Sequence, residues 1–325
     1  MVSIARRGIA ALAALAAFPA LAQQSGALAY PAKPIKIIVS LAAGGGVDTT
    51  ARFVAQKLTE TWGQQIVIEN RPGAGGTIAT ELVARAPSDG YTLLMTSSSF
   101  VITPTLYQLS YDAARDFTPV ARVVLSPHVL VVHPSVPVRS VRELLAFARA
   151  HPNELLWSSS GNGSSQHLAL ELFKTMTGVK IVHVPYKGTA PSINDLIGGR
   201  VSATAASVVS TMPQIKAGRL RGLAVLSSTR SEAVPQFPSV AEAGIPGYEV
   251  DVWYGLLAPS GTPKEIVAKL YEEIARNLSQ PELKQRMFAV GLEPAGMPPD
   301  EFNRYIHAET AKWSKVVKAS GAKPD

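Results

Sequence analysis

The 325-residue sequence contains no cysteine. Disulfides, thiolate metal sites and cysteine nucleophiles are therefore excluded, and a chain of this length can bury a core without disulfides. After residue 22 no apolar run is long enough to span a bilayer. The 31 basic residues are scattered among 24 acidic ones without a basic patch, so we expect no nucleic-acid partner.

Several catalytic and cofactor motifs are also missing. Gly161-Asn162-Gly163 lacks the third glycine of a dinucleotide fingerprint, and there is no phosphate-binding G-x-x-x-x-G-K-[ST] loop. No G-x-S-x-G nucleophile elbow occurs, and none of the six histidines pairs with another at metal-ligand spacing on a helix. We therefore predict no cofactor, no metal ion and no catalytic residue.

The first 22 residues have the pattern of a secretory signal peptide. Arg6 and Arg7 precede an apolar stretch at 8–18, and Ala20-Leu21-Ala22 supplies small residues for cleavage. The sequence thus predicts cleavage after residue 22 and a periplasmic location. Both the general secretory route and the twin-arginine route stay open.

The rest of the chain alternates strand-like and helix-like segments, which predicts α/β domains with largely parallel sheets. A β-branched run at 35–39 is the clearest strand. Two helix starts have the pattern of a capping box, Ser140 with Glu143 and Thr262 with Glu265. The other predicted strands are 65–69, 91–96, 121–133, 155–159, 180–186 and 220–226.

Two extended stretches, 118–133 and 248–258, interrupt this alternation with no helix between their strands. Paired extended segments suit hinge strands that cross between two lobes. We therefore predict a discontinuous first lobe of residues 30–130 plus 249–325 and a second lobe of residues 131–248.

Two glycine-rich loops join a strand to a helix, one in each predicted lobe. The first is Gly44-Gly45-Gly46, and the second is Ser160-Gly161-Asn162-Gly163-Ser164-Ser165. Free N–H groups at a helix start attract anions, and glycines let a ligand approach the backbone. Either loop alone is typical of a tight turn, but one in each lobe favours a ligand site. Neither contains Lys or Arg, so amides and hydroxyls would hold the anion.

Three further features have both a structural and a functional interpretation. Asp48 could be a general base or a ligand-binding group, but its place at a helix start favours stabilisation of the loop and helix. The loop at 71–77 faces either solvent or the cleft. Trp253 and Tyr254 either pack in the core or form a cleft wall.

Several further motifs occur in order along the chain, at 44–48, 69–76, 89–93, 161–168, 182–188, 215–218 and 240–244. Together they resemble the Bug-type receptors of tripartite tricarboxylate transporters over essentially the whole mature chain. The resemblance implies a two-lobed, type II-like Venus-flytrap fold that grips a small carboxylate between the two loops, partly through ordered water. It also implies membrane transporter subunits as partners.

The chain departs from the family pattern in two places. Family members often carry an aromatic residue and prolines where Ser40, Leu41 and Ala43 stand here. Many also have an aspartate where this chain has Ala206. That aspartate can bind a ligand ammonium or hydroxyl group. These differences disfavour an amino-acid ligand and predict a roomier, less polar pocket.

We therefore predict a monomeric carboxylate receptor. One alternative is a secreted α/β enzyme acting on a carboxylate or phosphorylated substrate, which would need an assembled nucleophile and base. Another is a ligand sensor for a membrane signalling partner. The predicted ligand-binding residues are Gly44, Gly45, Gly46, Asp48, Thr96, Ser97, Ser160, Gly161, Asn162, Gly163, Ser164, Ser165, Ala206 and Ser207.

Overall fold

The computed structural model describes residues 30–186 and 188–320, so the predicted signal peptide and Lys187 lie outside the described residues. In chain order the elements are β1 (Ile35–Val39), α1 (Gly46–Trp62), β2 (Ile66–Asn70), α2 (Thr77–Ala84), β3 (Thr92–Ser97), α3 (Ser99–Leu106), β4 (Phe117–Leu125), β5 (His128–Val132), α4 (Val141–Ala150), β6 (Leu156–Ser159), α5 (Ser165–Thr177), β7 (Val182–Pro185), α6 (Thr189–Ile197), β8 (Ala203–Ser207), α7 (Val208–Lys216), β9 (Arg221–Val225), β10 (Trp253–Pro259), α8 (Lys264–Leu278), α9 (Pro281–Ala289), β11 (Glu293–Met297) and α10 (Pro299–Ser320).

The described strands form two sheets, each the centre of one lobe. The first lobe contains a six-stranded sheet with the order β11-β4-β10-β3-β1-β2, and the second contains a five-stranded sheet with the order β7-β6-β8-β5-β9. The predicted α/β fold with two lobes is confirmed.

Both sheets are mixed, although most of the described strands in each run in the same direction. β1 pairs in parallel with β2 and β3, whereas β10 runs antiparallel to β3 and β4. In the second sheet β5 runs antiparallel to β8 and β9, while β6 pairs in parallel with β7 and β8. β11 also runs antiparallel, to β4 at the edge of the first sheet. Two of the reversed strands, β5 and β10, enter their sheets from the other lobe.

The chain passes between the lobes at two adjacent places. β4 ends at Leu125 in the first sheet and β5 begins at His128 in the second, while the return path enters β10 at Trp253. The N–H of Ser126 donates to the carbonyl of Val252 at 2.7 Å, so the two crossings are hydrogen-bonded to each other. The sheets therefore change within the two stretches predicted as hinge strands, while the lobe boundaries at residues 130 and 248 stay a prediction.

Each sheet is covered by helices on both faces, which is why its strands have nearly continuous apolar sequences. In the first sheet, Ile37 packs with α1 and α8 on one face, and Ile38 packs with α2 and α3 on the other. In the second sheet, Leu130 faces α4 and α5, while Val129 faces α6 and α7. Among the described helices, none has the length and apolarity needed to cross a bilayer.

The last helix, α10, makes contacts with both lobes. It packs against β4 and α3 of the first lobe and against α5 of the second. Its buried residues Phe302, Trp313 and Val316 belong to the same apolar cluster as Phe100 of α3 and Leu168 of α5. One continuous core therefore joins the two lobes on this side of the molecule.

Candidate ligand-binding site between the two lobes

A cavity of about 400 Å³ lies between the lobes. No Lys, Arg, Asp or Glu occurs among the described residues that line it. The first lobe and the returning crossing contribute Leu41, Gly75, Ser97, Ser98, Ser99, Thr103, Leu106, Tyr107, Val252 and Tyr254, and the second lobe contributes His128, Ser160, Gly161, Asn162, Gly163, Ser164, Ser165, Gln166 and Thr189.

The cavity lies at the carboxyl ends of parallel strands in both sheets. β3 ends at Ser97 and β1 is followed by Leu41, while β6 is followed by the loop of residues 160–164. Ligands of open α/β folds bind at these strand ends, where loops and helix starts bring backbone N–H groups together. The topology thus places the two halves of the site opposite each other.

The second glycine-rich loop is held by hydrogen bonds to the start of α5. The Ser164 hydroxyl caps the helix by accepting from the His167 N–H at 3.2 Å, and it donates to the Gly161 carbonyl at 2.7 Å. The Gly163 N–H donates to His167 Nδ1 at 3.0 Å. Gly163 has φ +72°, in the left-handed region that favours glycine. These hydrogen bonds therefore hold the loop in its conformation without a ligand.

Three backbone donors of this loop and helix start stay available to an anion. The N–H groups of Asn162, Ser165 and Gln166 have no hydrogen-bond partner among the described residues. These residues line the cavity, together with Ser160. All six predicted site residues from 160 to 165 thus lie in one wall of the cavity.

The first glycine-rich loop lies behind the cavity wall. Gly44, Gly45 and Gly46 are not among its described lining residues, whereas Leu41 of the same loop is. A Cβ atom on Gly46 would stand 2.6 Å from the Tyr254 hydroxyl oxygen, so this glycine allows the ring of Tyr254 to pack on the start of α1. The loop therefore supports the tyrosine that reaches the cavity.

Asp48 anchors this first loop. Its Oδ2 accepts from the Gly44 N–H and from Arg52 Nε, both at 2.9 Å, and its Oδ1 accepts from Arg52 Nη2 and Asn70 Nδ2, both at 3.1 Å. Burial alone would raise the pKa of Asp48, but these hydrogen bonds and the charge of Arg52 outweigh burial and lower it. With both oxygens occupied, the carboxylate has the role of loop anchor and not of base.

The other predicted residues have different positions. Ser97 lines the cavity, whereas Thr96 is buried behind it and its hydroxyl accepts from Ser40 Oγ at 3.1 Å. Ala206 is fully buried in β8, and the Ser207 hydroxyl pairs with that of Ser210 at 2.8 Å. Thr96, Ala206 and Ser207 are not among the described lining residues.

The comparisons with known proteins agree with this geometry. Residues 50–322 match the tripartite tricarboxylate transporter family receptor, TctC. This chain belongs to that family. The receptor is 38% identical to protein BugT of Bordetella pertussis over 297 residues, which cover 90% of this chain and 91% of BugT.

Solved relatives of the receptor have the same two-lobed fold. Rpa4515 of R. palustris, solved with adipate, is 41% identical with a TM-score of 0.79 and covers 91% of this chain and 100% of its own. MatC from Rhodopseudomonas palustris, solved with bound malate, is 32% identical with a TM-score of 0.74 and covers 89% and 100%. The family inferred from the sequence motifs is confirmed, and with it the prediction of a solute-binding receptor.

Several residues that line the receptor's cavity were not predicted from the sequence as ligand-binding. Ser98 and Ser99 continue a run that starts at the predicted Ser97, so a serine cluster at the end of a buried strand was a usable signal. Leu106 is the last residue of α3 and Tyr107 follows it. The approach of this segment to the second lobe depends on the crossings. The cavity residues not predicted as ligand-binding are Leu41, Gly75, Ser98, Ser99, Thr103, Leu106, Tyr107, His128, Gln166, Thr189, Val252 and Tyr254.

One serine and one histidine of the receptor lie as close together as the nucleophile and base of a hydrolase. Ser159 Oγ and His183 Nε2 are 2.6 Å apart. Ser159 is fully buried, however, and its hydroxyl also donates to the carbonyl of Gly161 at 3.0 Å and accepts from its N–H at 3.2 Å. Since Ser159 does not line the cavity, the pair supports the second loop and does not face a substrate.

Replacing Asp48 with Ala is expected to destabilise the receptor. Removing the buried carboxylate leaves its donors without partners, so the free energy of unfolding should fall by about 2–4 kcal/mol. Because the folded pKa lies below the ordinary value of 3.8, wild type loses this advantage as pH falls below that value. Urea titrations at neutral and acidic pH measure both effects.

Glu60→Ala is the matched control, because Glu60 is an exposed acidic residue on the same helix, paired with Lys57. It should change stability little. Equal losses from the two variants would contradict the anchoring role of Asp48.

Proposed function

We propose that this receptor captures a small carboxylate in its interlobe cavity in the periplasm, as a monomer exported by the signal peptide at residues 1–22. It then presents the ligand to the membrane subunits of a tripartite tricarboxylate transporter. The observation that carries the proposal is a cavity with free amides and hydroxyls at a helix start and no charged side chain among its described lining residues. The relatives solved with adipate and malate support the same ligand class.

Amides and hydroxyls are sufficient to hold a carboxylate. A hydrogen bond to a charged group contributes roughly 1.5–3 kcal/mol. Four to six such bonds supply roughly 6–18 kcal/mol. This range covers the roughly 8 kcal/mol of micromolar binding, and its upper part also covers the cost of ordering the lobes. The amides of Asn162, Ser165 and Gln166, the hydroxyl of Ser160 and the one O–H left by the Ser97–Ser99 hydroxyl pair reach that number.

Native mass spectrometry of freshly purified mature protein is the direct test of the ligand class. A co-purified carboxylic acid, or binding of adipate or malate added to the stripped protein, is the expected result. A protein that binds no carboxylate, or that converts one to product, would overturn the proposal.

Ligand binding is expected to close the lobes. A ligand that contacts both Ser97 and Ser164 stabilises the closed arrangement selectively, with rotation at the two crossings. Small-angle X-ray scattering should therefore give a smaller radius of gyration at saturation with a bound carboxylate. Scattering in the presence of a non-binding acid is the control, and an unchanged profile at saturation would exclude hinge closure.

A further inference from the structure

His128 occupies a place that is both hinge and cavity wall. It is the first residue of β5, directly after the first crossing, and only 7% of it is exposed. It is also the one histidine among the described residues that line the cavity. A side chain in this position can form a hydrogen bond with the bound ligand and so discriminate between ligands.

The hydrogen bond made by the His128 ring determines which of its two nitrogens is left for a ligand in the cavity. Nδ1 of His128 lies 3.0 Å from the carbonyl oxygen of Ser126. A carbonyl oxygen only accepts, so Nδ1 carries the proton, and in the neutral ring Nε2 carries the lone pair. Burial lowers the pKa of His128 to about 4, against the opposing effect of the Ser126 bond, so the ring is neutral at pH 7.

Nε2 of His128 is a hydrogen-bond acceptor that still needs a donor. It has no hydrogen-bond partner among the described residues, and Nδ1 is turned back to the backbone. A carboxylate cannot supply the donor, because its oxygens only accept. A second polar group on the ligand, or an ordered water retained beside it, must therefore supply the donor, or the nitrogen is left unpaired when the cavity closes.

A second buried group in the same cavity is also incompletely paired. Gln166 is 3% exposed, and its Nε2 lies 3.3 Å from Thr189 Oγ1, while its Oε1 has no partner among the described residues. Whichever end of the amide faces Thr189, the other end is free for a ligand. The cavity thus has more unpaired hydrogen-bonding atoms than one carboxylate can pair with.

The missing donor is best supplied by a hydroxyl group. A ligand ammonium would bring a positive charge into a cavity whose described lining contains no Asp or Glu to balance it. A hydroxyl brings no charge, donates to Nε2 of His128 and accepts from a neighbouring donor.

Resting on the proposed carboxylate-receptor function, we propose that Nε2 of His128 accepts a hydrogen bond from a ligand hydroxyl, so that the receptor prefers hydroxycarboxylates to their deoxy analogues. A site built to pair a hydroxyl discriminates strongly against a ligand that lacks it, because a buried acceptor stays unpaired. We expect the hydroxylated member of a pair to bind about tenfold or more tightly.

Titration calorimetry of the mature chain with matched acids tests this specificity. The pairs are malate with succinate, 2-hydroxyadipate with adipate, and 4-hydroxybenzoate with benzoate. His128→Leu removes the acceptor and keeps an apolar side chain of similar reach. His307→Leu is the matched control, since His307 is exposed on α10.

For wild type and His307→Leu, the hydroxylated acid of at least one pair should bind about tenfold more tightly than its analogue. His128→Leu should bind the two alike, with the deoxy acid at least as tight as in wild type, which also shows that the variant is folded. If deoxy acids bind as well as hydroxy acids in every pair, or if His128→Leu keeps the preference, the role of His128 is wrong while carboxylate binding stands. Binding of none of the six acids would overturn the carboxylate function itself.

Discussion

Gly163→Val is expected to abolish ligand binding, with a fall in affinity of about 100-fold or more. Gly163 has φ +72°, which a β-branched residue adopts only with strain. Its Cβ would also collide with the side chain of Leu106, which reaches across from the first lobe. Both effects displace the loop that carries the free donors of Asn162 and Ser165.

The structure supplies a matched control for this substitution. Gly178, at the other end of α5, has φ +69°, and a Cβ there would meet no atom within 4 Å. Gly178→Val imposes the same backbone strain away from the cavity and should lower stability without changing affinity. Calorimetry with a carboxylate that binds wild type separates the two, and normal binding by Gly163→Val would exclude the loop as the anion site.

Neutralising an exposed cation should have a much smaller effect on binding. Arg71 pairs with Glu69 and is not among the described lining residues of the cavity. Arg71→Gln should weaken binding by less than about tenfold. Loss of binding on this substitution would indicate an ion pair to the ligand and contradict an amide cradle.

Asp251→Asn is expected to stabilise the protein by about 2–3 kcal/mol above pH 7. Asp251 lies in the second crossing, 8% exposed, and its Oδ1 has no hydrogen-bond partner among the described residues. Burial, and to a smaller degree the charge of Glu249, raise its pKa to about 6, although Arg122 opposes the shift. The folded protein therefore tolerates the ionised carboxylate poorly.

The pH dependence identifies the cause. Between the unfolded value of 3.8 and the folded value of about 6, the folded state holds a proton that the unfolded state has lost, so wild-type stability falls as pH rises through this window. The advantage of Asp251→Asn should appear across the same window and vanish near pH 4. Denaturant titrations measure it, with exposed Glu232→Gln as the control, and a gain that does not vary with pH would rule out the ionisation of Asp251.

Much of the local structure could be predicted because its causes are local. The run at 35–39 is β1 residue for residue, and Ser140 caps α4 by accepting from the Glu143 N–H at 3.1 Å. The similar pattern at Thr262 failed. Its hydroxyl donates to the carbonyl of Pro259 at 2.7 Å, and α8 starts at Lys264 without a side-chain cap. A competing turn just before the helix took the hydroxyl that the pattern assigned to the cap.

Strand direction and half of the site depended on contacts between distant residues. Nothing in the sequence near Trp253 shows that β10 lies antiparallel between β3 and β4, since this follows from where the chain returns. The second-lobe wall of the cavity could be predicted because residues 160–165 are contiguous and rich in glycine and serine. Leu106, His128 and Tyr254 reach the same cavity from three separate segments, and their types alone are equally typical of a core.

The central position of β10 in the first sheet has a consequence for the order of folding. All strands of the second sheet are available once residue 225 has emerged, whether from the ribosome or from an export channel. In the first sheet, by contrast, β3 and β4 each pair with β10, which begins at Trp253. More than a hundred residues must therefore follow β3 and β4 before their inner edges can form hydrogen bonds with β10. Exposed inner edges are prone to intermolecular pairing. The strands of the second sheet can thus pair before β10 is available, while the inner pairing of β3 and β4 depends on the last third of the chain.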